Sequence, residues 1–334
     1  MRSVAVVGAG SWGTALAVHL GRVGHEVRLW ARDPALVDDM ASQRANVEYL
    51  PGIALPDSVS VTHDMRAALR DAELVVSAIP SHGCRDVLRS AAPHVAPRAV
   101  IVSATKGLET DTMLRMSQVI AQETGGRHRV VVLSGPSFAV EVARQLPTAV
   151  LAASESAAAI ELVQQEFRGP TFRLYGSDDV IGVEIGAALK NIIAIAAGVV
   201  EGLGLGHNAL AALITRGLAE LTRLACAAGG RRETLAGLSG LGDLVLTCTG
   251  NLSRNRHVGL ELARGRALPD ILASMKMVAE GVRTTGAALE LGAKYGIELP
   301  IATQMGEVLN GRSDVRTAIS ALMLRPQRAE AETG

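Results

Sequence analysis

Ser3-Val4-Ala5-Val6-Val7-Gly8-Ala9-Gly10-Ser11-Trp12-Gly13 opens the chain with a short β-branched run that breaks into three spaced glycines, and a helical pattern through Leu16, Leu20 and Val23 follows at once. Strand, GxGxxG, helix is the order in which a dinucleotide site is built. The glycines permit a tight turn and let bare backbone approach a pyrophosphate, whose charge is met by free N–H groups and by the positive end of the helix. A GxGxxG alone is weak evidence, but at the end of a first strand it predicts a Rossmann-type site with Gly8, Gly10 and Gly13 at its turn.

The second strand, Glu26–Trp30, ends in Ala31-Arg32-Asp33-Pro34. An acidic residue there would bind the ribose hydroxyls of NAD, whereas an arginine accepts the 2′-phosphate of NADP. Asp before Pro is also what a helix start requires, a side-chain cap followed by a ring whose missing N–H is not needed. Asp33 is therefore read as a cap and Arg32 as the ribose-end contact, which favours NADP without excluding NAD. Further strand-like runs at 74–79, 99–102 and 130–133 alternate with helical stretches such as 113–122, and two more runs lie at 148–152 and 171–175. The alternation predicts an α/β domain with a parallel-rich sheet whose ligands gather at the carboxyl ends of the strands. Those ends carry Pro80-Ser81-His82, then Ser103-Ala104-Thr105-Lys106-Gly107, then Ser134-Gly135-Pro136-Ser137-Phe138-Ala139.

The stretch 178–202, DDVIGVEIGAALKNIIAIAAGVVEG, reads as one long helix too apolar for a surface position, with Lys190 near its middle. A membrane span is the simpler reading of such a run, but Glu184, Lys190 and Asn191 count against it. A lysine snorkelling to solvent is another. Gly182 and Gly186 lie beneath Lys190 at spacings of four, so the expectation is a face that something can approach closely. Beyond 203 strand signals nearly vanish, and helical patterns at 209–228, 256–264, 284–295 and 301–309 predict an all-α second domain. The expected division is 1–177, 178–325 and a loose tail at 326–334. Within the helical part, Gly237-Leu238-Ser239-Gly240-Leu241-Gly242-Asp243 and Ser253-Arg254-Asn255-Arg256-His257 are the most polar-specific segments. Hydroxyl, guanidinium and amide at a helix start outline a phosphate site, against the plainer reading of a Ser253 cap with solvated arginines.

With 334 residues, 48% hydrophobic, there is material for about two cores. Lys plus Arg and Asp plus Glu balance at 33 each and aromatics are 2%, so no basic footprint or stacking platform for nucleic acid is present. Cys84, Cys226 and Cys248 lack CxxC spacing, which fits a reducing cytoplasm, no metal site and three small buried hydrophobes. The amino terminus shows no leader pattern.

The motifs GAGSWG, SGPSFA, Lys106-Gly107, Leu189-Lys190-Asn191, Gly240 to Asp243 and Ser253-Arg254-Asn255, in this order, resemble the bacterial NAD(P)-dependent glycerol-3-phosphate dehydrogenases over residues 1 to about 325. The resemblance implies reversible reduction of dihydroxyacetone phosphate to sn-glycerol 3-phosphate, a glycerophospholipid precursor, by a cytoplasmic homodimer. It implies Lys190 as general acid/base and Lys106, Gly135, Ser137, Lys190, Asp243, Ser253, Arg254 and Asn255 as substrate contacts. Cofactor contacts implied are Ser11, Trp12, Arg32, Tyr49, Lys106, Ala139, Arg254, Val278 and Glu280. Thr247 matches a substrate-region threonine of eukaryotic relatives.

The chemistry of the residues agrees. Reducing a ketone leaves an alkoxide that must gain a proton, and a cationic donor beside it both stabilises the charge and protonates it. Burial, Lys106 and Arg254 are expected to lower the Lys190 pKa, with Asp243 pulling the other way. His82 and His207 have no carboxylate at local spacing to support a histidine mechanism. The rival enzyme reading is a related lysine-helix dehydrogenase of a β-hydroxyacid or a ketopantoate-like acid, whose anion is carboxylate rather than phosphate. A catalytically silent NAD(P)-binding regulator should lack Lys106, Lys190 and Asp243.

Overall fold

The computed structural model describes residues 1–275, 278–327 and 329. Eight strands, β1 Ser3–Val7, β2 Glu26–Trp30, β3 Val59–Thr62, β4 Leu74–Ser77, β5 Val100–Ser103, β6 Val130–Ser134, β7 Thr148–Ala153 and β8 Phe172–Ser177, form one sheet in the order β3-β2-β1-β4-β5-β6-β7-β8. β1 pairs with β2 on one side and β4 on the other, both parallel, with Val7 in register with Trp30 and with Ser77. The direction of winding reverses there, so the carboxyl ends of β1 and β4 part around a crevice at the glycine turn. Seven helices accompany the sheet: α1 Ser11–Arg22, α2 Pro34–Gln43, α3 Met65–Leu69, α4 Cys84–Ala91, α5 Met116–Glu123, α6 Ala139–Ala143 and α7 Ala157–Phe167. Val4, Val6, Leu16, Leu20 and Leu29 pack in the core beneath the turn with no exposed surface.

The sheet is parallel-rich and the second part all-helical, as expected, with two features the sequence did not announce. β3 had no counterpart because its alternation lasts only four residues. β7 runs antiparallel to β6, and β8, parallel to β7, shares that reversal. The 135–147 connection has only the five-residue α6 as a helix and turns back on the edge of the sheet it left, whereas a parallel return needs a crossover over a face.

Nine helices follow among the described residues: α8 Val180–Gly202, α9 Gly206–Ala227, α10 Arg232–Ala236, α11 Asp243–Thr249, α12 Arg254–Ala263, α13 Leu268–Ala273, α14 Glu280–Tyr295, α15 Pro300–Leu309 and α16 Val315–Met323. Asp179, not Asp178, caps α8 by accepting from the Gly182 N–H at 2.8 Å. Every α8 residue from Gly182 to Val200 is buried. The helix is long and apolar enough to cross a membrane, yet 89% of its apolar window is buried inside the protein. It faces the sheet through Val183 against Val132 and Ala153, and meets the start of α5 through Glu184, whose carboxylate accepts from Ser117 N and Oγ and from Arg115. Its other side meets α12, where a Cβ on Gly198 would lie 1.9 Å from the Arg256 carbonyl and one on Gly259 1.9 Å from that of Ile195. The Gly182 and Gly186 face is likewise approached closely, but by this chain's own Gly230, Leu235 and Ser239. Cys226 is exposed, unlike the buried Cys84 and Cys248. Of the expected tail, residues 328 and 330–334 lie outside the described residues.

Candidate active site

A cleft of about 710 Å³ runs from the glycine turn, past the carboxyl ends of β4 and β5, to α8, α11 and α12. Gly8, with φ +113°, is where a Cβ would fall 2.7 Å from the Ala78 carbonyl, and a Cβ on Gly13 would fall 1.8 Å from that of Gly8. Gly13 thus closes the turn from behind, while Gly10 has nothing within 4 Å of its missing Cβ and faces open space. Ser11 and Trp12 line the cleft beside it, at a helix start with no side-chain cap. Such a cradle of uncapped N–H groups fits a pyrophosphate. Ser11 Oγ donates to the Tyr49 carbonyl at 2.6 Å, which brings the 46–50 segment over the turn.

Arg32 lines the glycine-turn end of the cleft and, among the described residues, has no hydrogen bond or ion pair. Asp33 is the cap of α2, accepting from Ala35 N at 2.9 Å. Ala139 and Val278 also line the cleft. Glu280 does too, but both its oxygens are taken by the protein: Oε1 accepts from Ser81 N at 3.2 Å and Oε2 from Ser81 Oγ at 2.6 Å.

At the far end Asp243, 1% exposed, stands between two lysines. Lys190 Nζ donates to Asp243 Oδ1 and to Thr247 Oγ1, each at 2.7 Å. Lys106 Nζ donates to Asp243 Oδ2 at 2.7 Å and to the Gly135 carbonyl at 3.0 Å, with Ser137 Oγ at 3.5 Å. Thr247 is held by donating to the Asp243 carbonyl at 2.6 Å. Burial pushes the Lys190 ammonium down to about 8, against the pull of Asp243 and with the help of Lys106. Burial and Lys106, rather than the expected Arg254, lead the lowering. Burial alone would raise the Asp243 carboxyl, but Lys106 and Lys190 hold it below the usual carboxylate range. A buried carboxylate stripped of either partner would be costly, so the three groups stand or fall together.

The helix α12 begins at Arg254, two residues earlier than its pattern indicated. Ser253 is its cap, accepting from Arg256 N at 3.2 Å, which leaves the hydroxyl hydrogen available to a ligand. Arg256 is buried, paired with Glu201 and bonded to Asn251, contrary to a picture of solvated arginines. Arg254 is exposed, but to the cleft it lines; burial among the surrounding atoms pushes its guanidinium below the ordinary value, with Glu280 pulling up. It has no protein partner among the described residues. Asn255 Oδ1 accepts from Gly281 N at 2.9 Å, so the NH₂ end of its amide is the free one. No histidine lines the cleft among the described residues.

The cleft therefore brings together every site residue expected from the sequence except Gly13, which braces the turn, and Gly135, which enters only through its carbonyl. Sequence reasoning missed Asn46, which no motif announces, and placed Ser81 at a strand end without foreseeing its bonds to Glu280.

Family models of the NAD-dependent glycerol-3-phosphate dehydrogenase N-terminus and C-terminus match residues 3–160 and 179–320. The glycerol-3-phosphate dehydrogenase [NAD(P)+] of Acidobacterium capsulatum is 55% identical over 99% of this chain and 100% of its own length. That of Koribacter versatilis is 53% identical over 99% of both. The crystal structure of a Coxiella burnetii glycerol-3-phosphate dehydrogenase superposes with a TM-score of 0.93 at 41% identity, covering 97% of this chain and 99% of that one. A Ralstonia eutropha ketopantoate reductase, 17% identical with a TM-score of 0.57, shares the fold alone.

Proposed function

This chain belongs to the NAD-dependent glycerol-3-phosphate dehydrogenase family, and from that premise we propose which of its residues carry the reaction. The enzyme interconverts dihydroxyacetone phosphate and sn-glycerol 3-phosphate with NAD(P)H, a reaction of phospholipid metabolism. Bound NAD(P)H supplies the reducing equivalent. Lys190 gives the ketone oxygen its proton and takes it back in the reverse direction, because an ammonium depressed to about 8 is a stronger acid than an ordinary lysine and still charged at neutral pH. Asp243 and Thr247 fix the direction of its N–H bonds. Lys106, on the second oxygen of Asp243, adds positive charge near the developing alkoxide. Arg254, with the Ser253 hydroxyl and the Asn255 NH₂, holds the phosphate away from the reacting carbon, where binding energy is drawn without disturbing the chemistry.

Gly8, Gly10, Ser11 and Trp12 hold the pyrophosphate, Tyr49 borders the adenosine, and Arg32 reads the 2′-phosphate of NADPH without excluding NADH. Ala139, Val278, Glu280, Lys106 and Arg254 complete the cofactor contacts. The chain divides into a dinucleotide-binding part, 1–177, a helical substrate part, 178–325, and a tail, and works as a cytoplasmic homodimer. The observation that carries the reading is the Lys190-Asp243-Lys106 network sharing one cleft with Arg254, which has no partner among the described residues. It is tested by NADPH oxidation with dihydroxyacetone phosphate and with dihydroxyacetone. Turnover should require the phosphate, and equal kcat/KM on the two ketones would remove the phosphate site.

A further inference from the structure

Asn46 has no exposed surface, yet it lies in the irregular 44–55 loop, where polar side chains ordinarily reach water. Its amide is fully used within the nucleotide site. Nδ2 donates to the Ala9 carbonyl and to Thr14 Oγ1, both at 2.8 Å, and Oδ1 accepts from Tyr49 N at 3.0 Å. The amide can sit only one way round, because the flipped orientation would oppose oxygen to the Ala9 oxygen and NH₂ to the Tyr49 N–H. Thr14 Oγ1 also donates to the Ala9 carbonyl, at 3.3 Å. That oxygen is thus gripped from inside the protein by two donors on separate elements.

A trans peptide is planar and its C=O and N–H point in opposite directions. With the Ala9 oxygen drawn inward, the Gly10 N–H must point out, and Gly10 lines the cleft. If the Ala9–Gly10 peptide rolled over, a carbonyl dipole would face the pyrophosphate in place of a donor. The same side chain fixes Tyr49 N, while Tyr49 O accepts from Ser11 Oγ and Asn46 O accepts from Leu50 N at 2.8 Å. The glycine turn and the 46–50 segment are closed into one hydrogen-bonded ring. We propose that Asn46 is a positioning residue of the dinucleotide site, aiming the Gly10 N–H at the pyrophosphate and seating Tyr49 beside Ser11. This role rests on the cleft holding the cofactor as described above. The groups it positions serve the part common to NADH and NADPH, so it differs in kind from Arg32.

The test is equilibrium binding of NADPH and of NADH, followed by nucleotide fluorescence, with Asn46→Asp. This near-isosteric change keeps an acceptor for Tyr49 N and sets an oxygen against the Ala9 carbonyl. Both dissociation constants should rise by the same factor, at least about tenfold for the loss of a buried donor. The kcat at saturating cofactor and the KM for dihydroxyacetone phosphate should stay within about twofold, since the Lys190 end is untouched. Thr14→Val, which at nearly constant volume deletes the bond from Asn46 Nδ2 and Thr14's own bond to the Ala9 carbonyl but keeps that of Asn46 to Ala9, should shift both constants in the same direction by a smaller factor, and it carries the test should Asn46→Asp not fold. Unchanged affinity in the folded variants would overturn the assignment, as would a loss confined to NADPH or a rise in the ketone KM alone. A wild-type protein that bound neither nucleotide would sink the cleft reading itself, and this role with it.

Discussion

At the nucleotide end of the cleft the inward-facing groups centre on the glycine turn, five consecutive residues, Gly8 to Trp12, braced from behind by Gly13. At the ketone end they are side chains of Lys106, Lys190 and Asp243, paired across 137 and 53 residues of sequence. The first kind of site is built from uncharged backbone with the Arg32 cation beside it, and depends on what glycine leaves out. The second concentrates charge around the almost fully buried Lys190 and Asp243 and depends on each member for the stability of the others. The nucleotide end should therefore tolerate side-chain changes with graded losses, and the ketone end should fail at single residues.

The sharpest way to break this contrast is Lys190→Ala. If the ketone end depends on individual charges, kcat should fall at least about 10³-fold, combining the loss of a general acid and of the alkoxide's cationic partner. NADPH binding, measured by fluorescence, should change less than about threefold because the nucleotide grip lies elsewhere. A folded variant keeping more than about a tenth of wild-type kcat would transfer the proton-donor role to Lys106.

A second, smaller effect is pH-dependent. Ketone reduction needs the protonated amine, so kcat/KM should be level below about 8 and fall as pH rises through it, by about tenfold per unit. Alcohol oxidation needs the neutral amine and should rise over the same range. Asp243 pulls the Lys190 pKa upward, so in Asp243→Asn the falling limb should move to lower pH. A limb that stayed in place would detach Asp243 from the proton donor.

At the nucleotide end, Arg32→Asp should cost NADPH about tenfold more affinity than NADH by setting like charge against the 2′-phosphate. An unchanged ratio in steady-state kinetics would mean that the phosphate is read elsewhere. The smallest effect belongs to its neighbour. Asp33→Ala should lower stability by about 1 kcal/mol through loss of the α2 cap, seen in thermal unfolding, and leave the NADPH/NADH ratio unchanged. A changed ratio would make Asp33 a ribose ligand after all.

The same contrast explains what could be read in advance. Backbone sites are contiguous, so a strand followed by Gly8, Gly10 and Gly13 announces one, and Asp33-Pro34 announces its cap by local chemistry alone. The site at Lys190 was visible only as an anomaly, a lysine in an apolar helix, and as a resemblance of separated motifs. Its wiring was not visible: nothing in the sequence states that Asp243 takes one lysine on each oxygen. Asn46 escaped notice for a related reason. A polar residue in a loop gives no sign that it is fully buried until the chain has folded over it. The antiparallel β7 was equally hidden, because strand composition does not encode direction and only the short 135–147 connection decides it.

Gly198 and Gly259 leave the backbones of α8 and α12 close enough that a methyl group on either would lie 1.9 Å from a carbonyl oxygen of the other helix. The lysine is carried by one of these helices and Arg254 by the other, so they act as the two jaws of a fixed-gap gauge. Neither jaw can slide or widen without losing this contact, and the span from Lys190 to Arg254 is set by two hydrogen atoms in place of side chains. Even an alanine at either glycine would push the two helices apart and reset the distance between the side chains they carry.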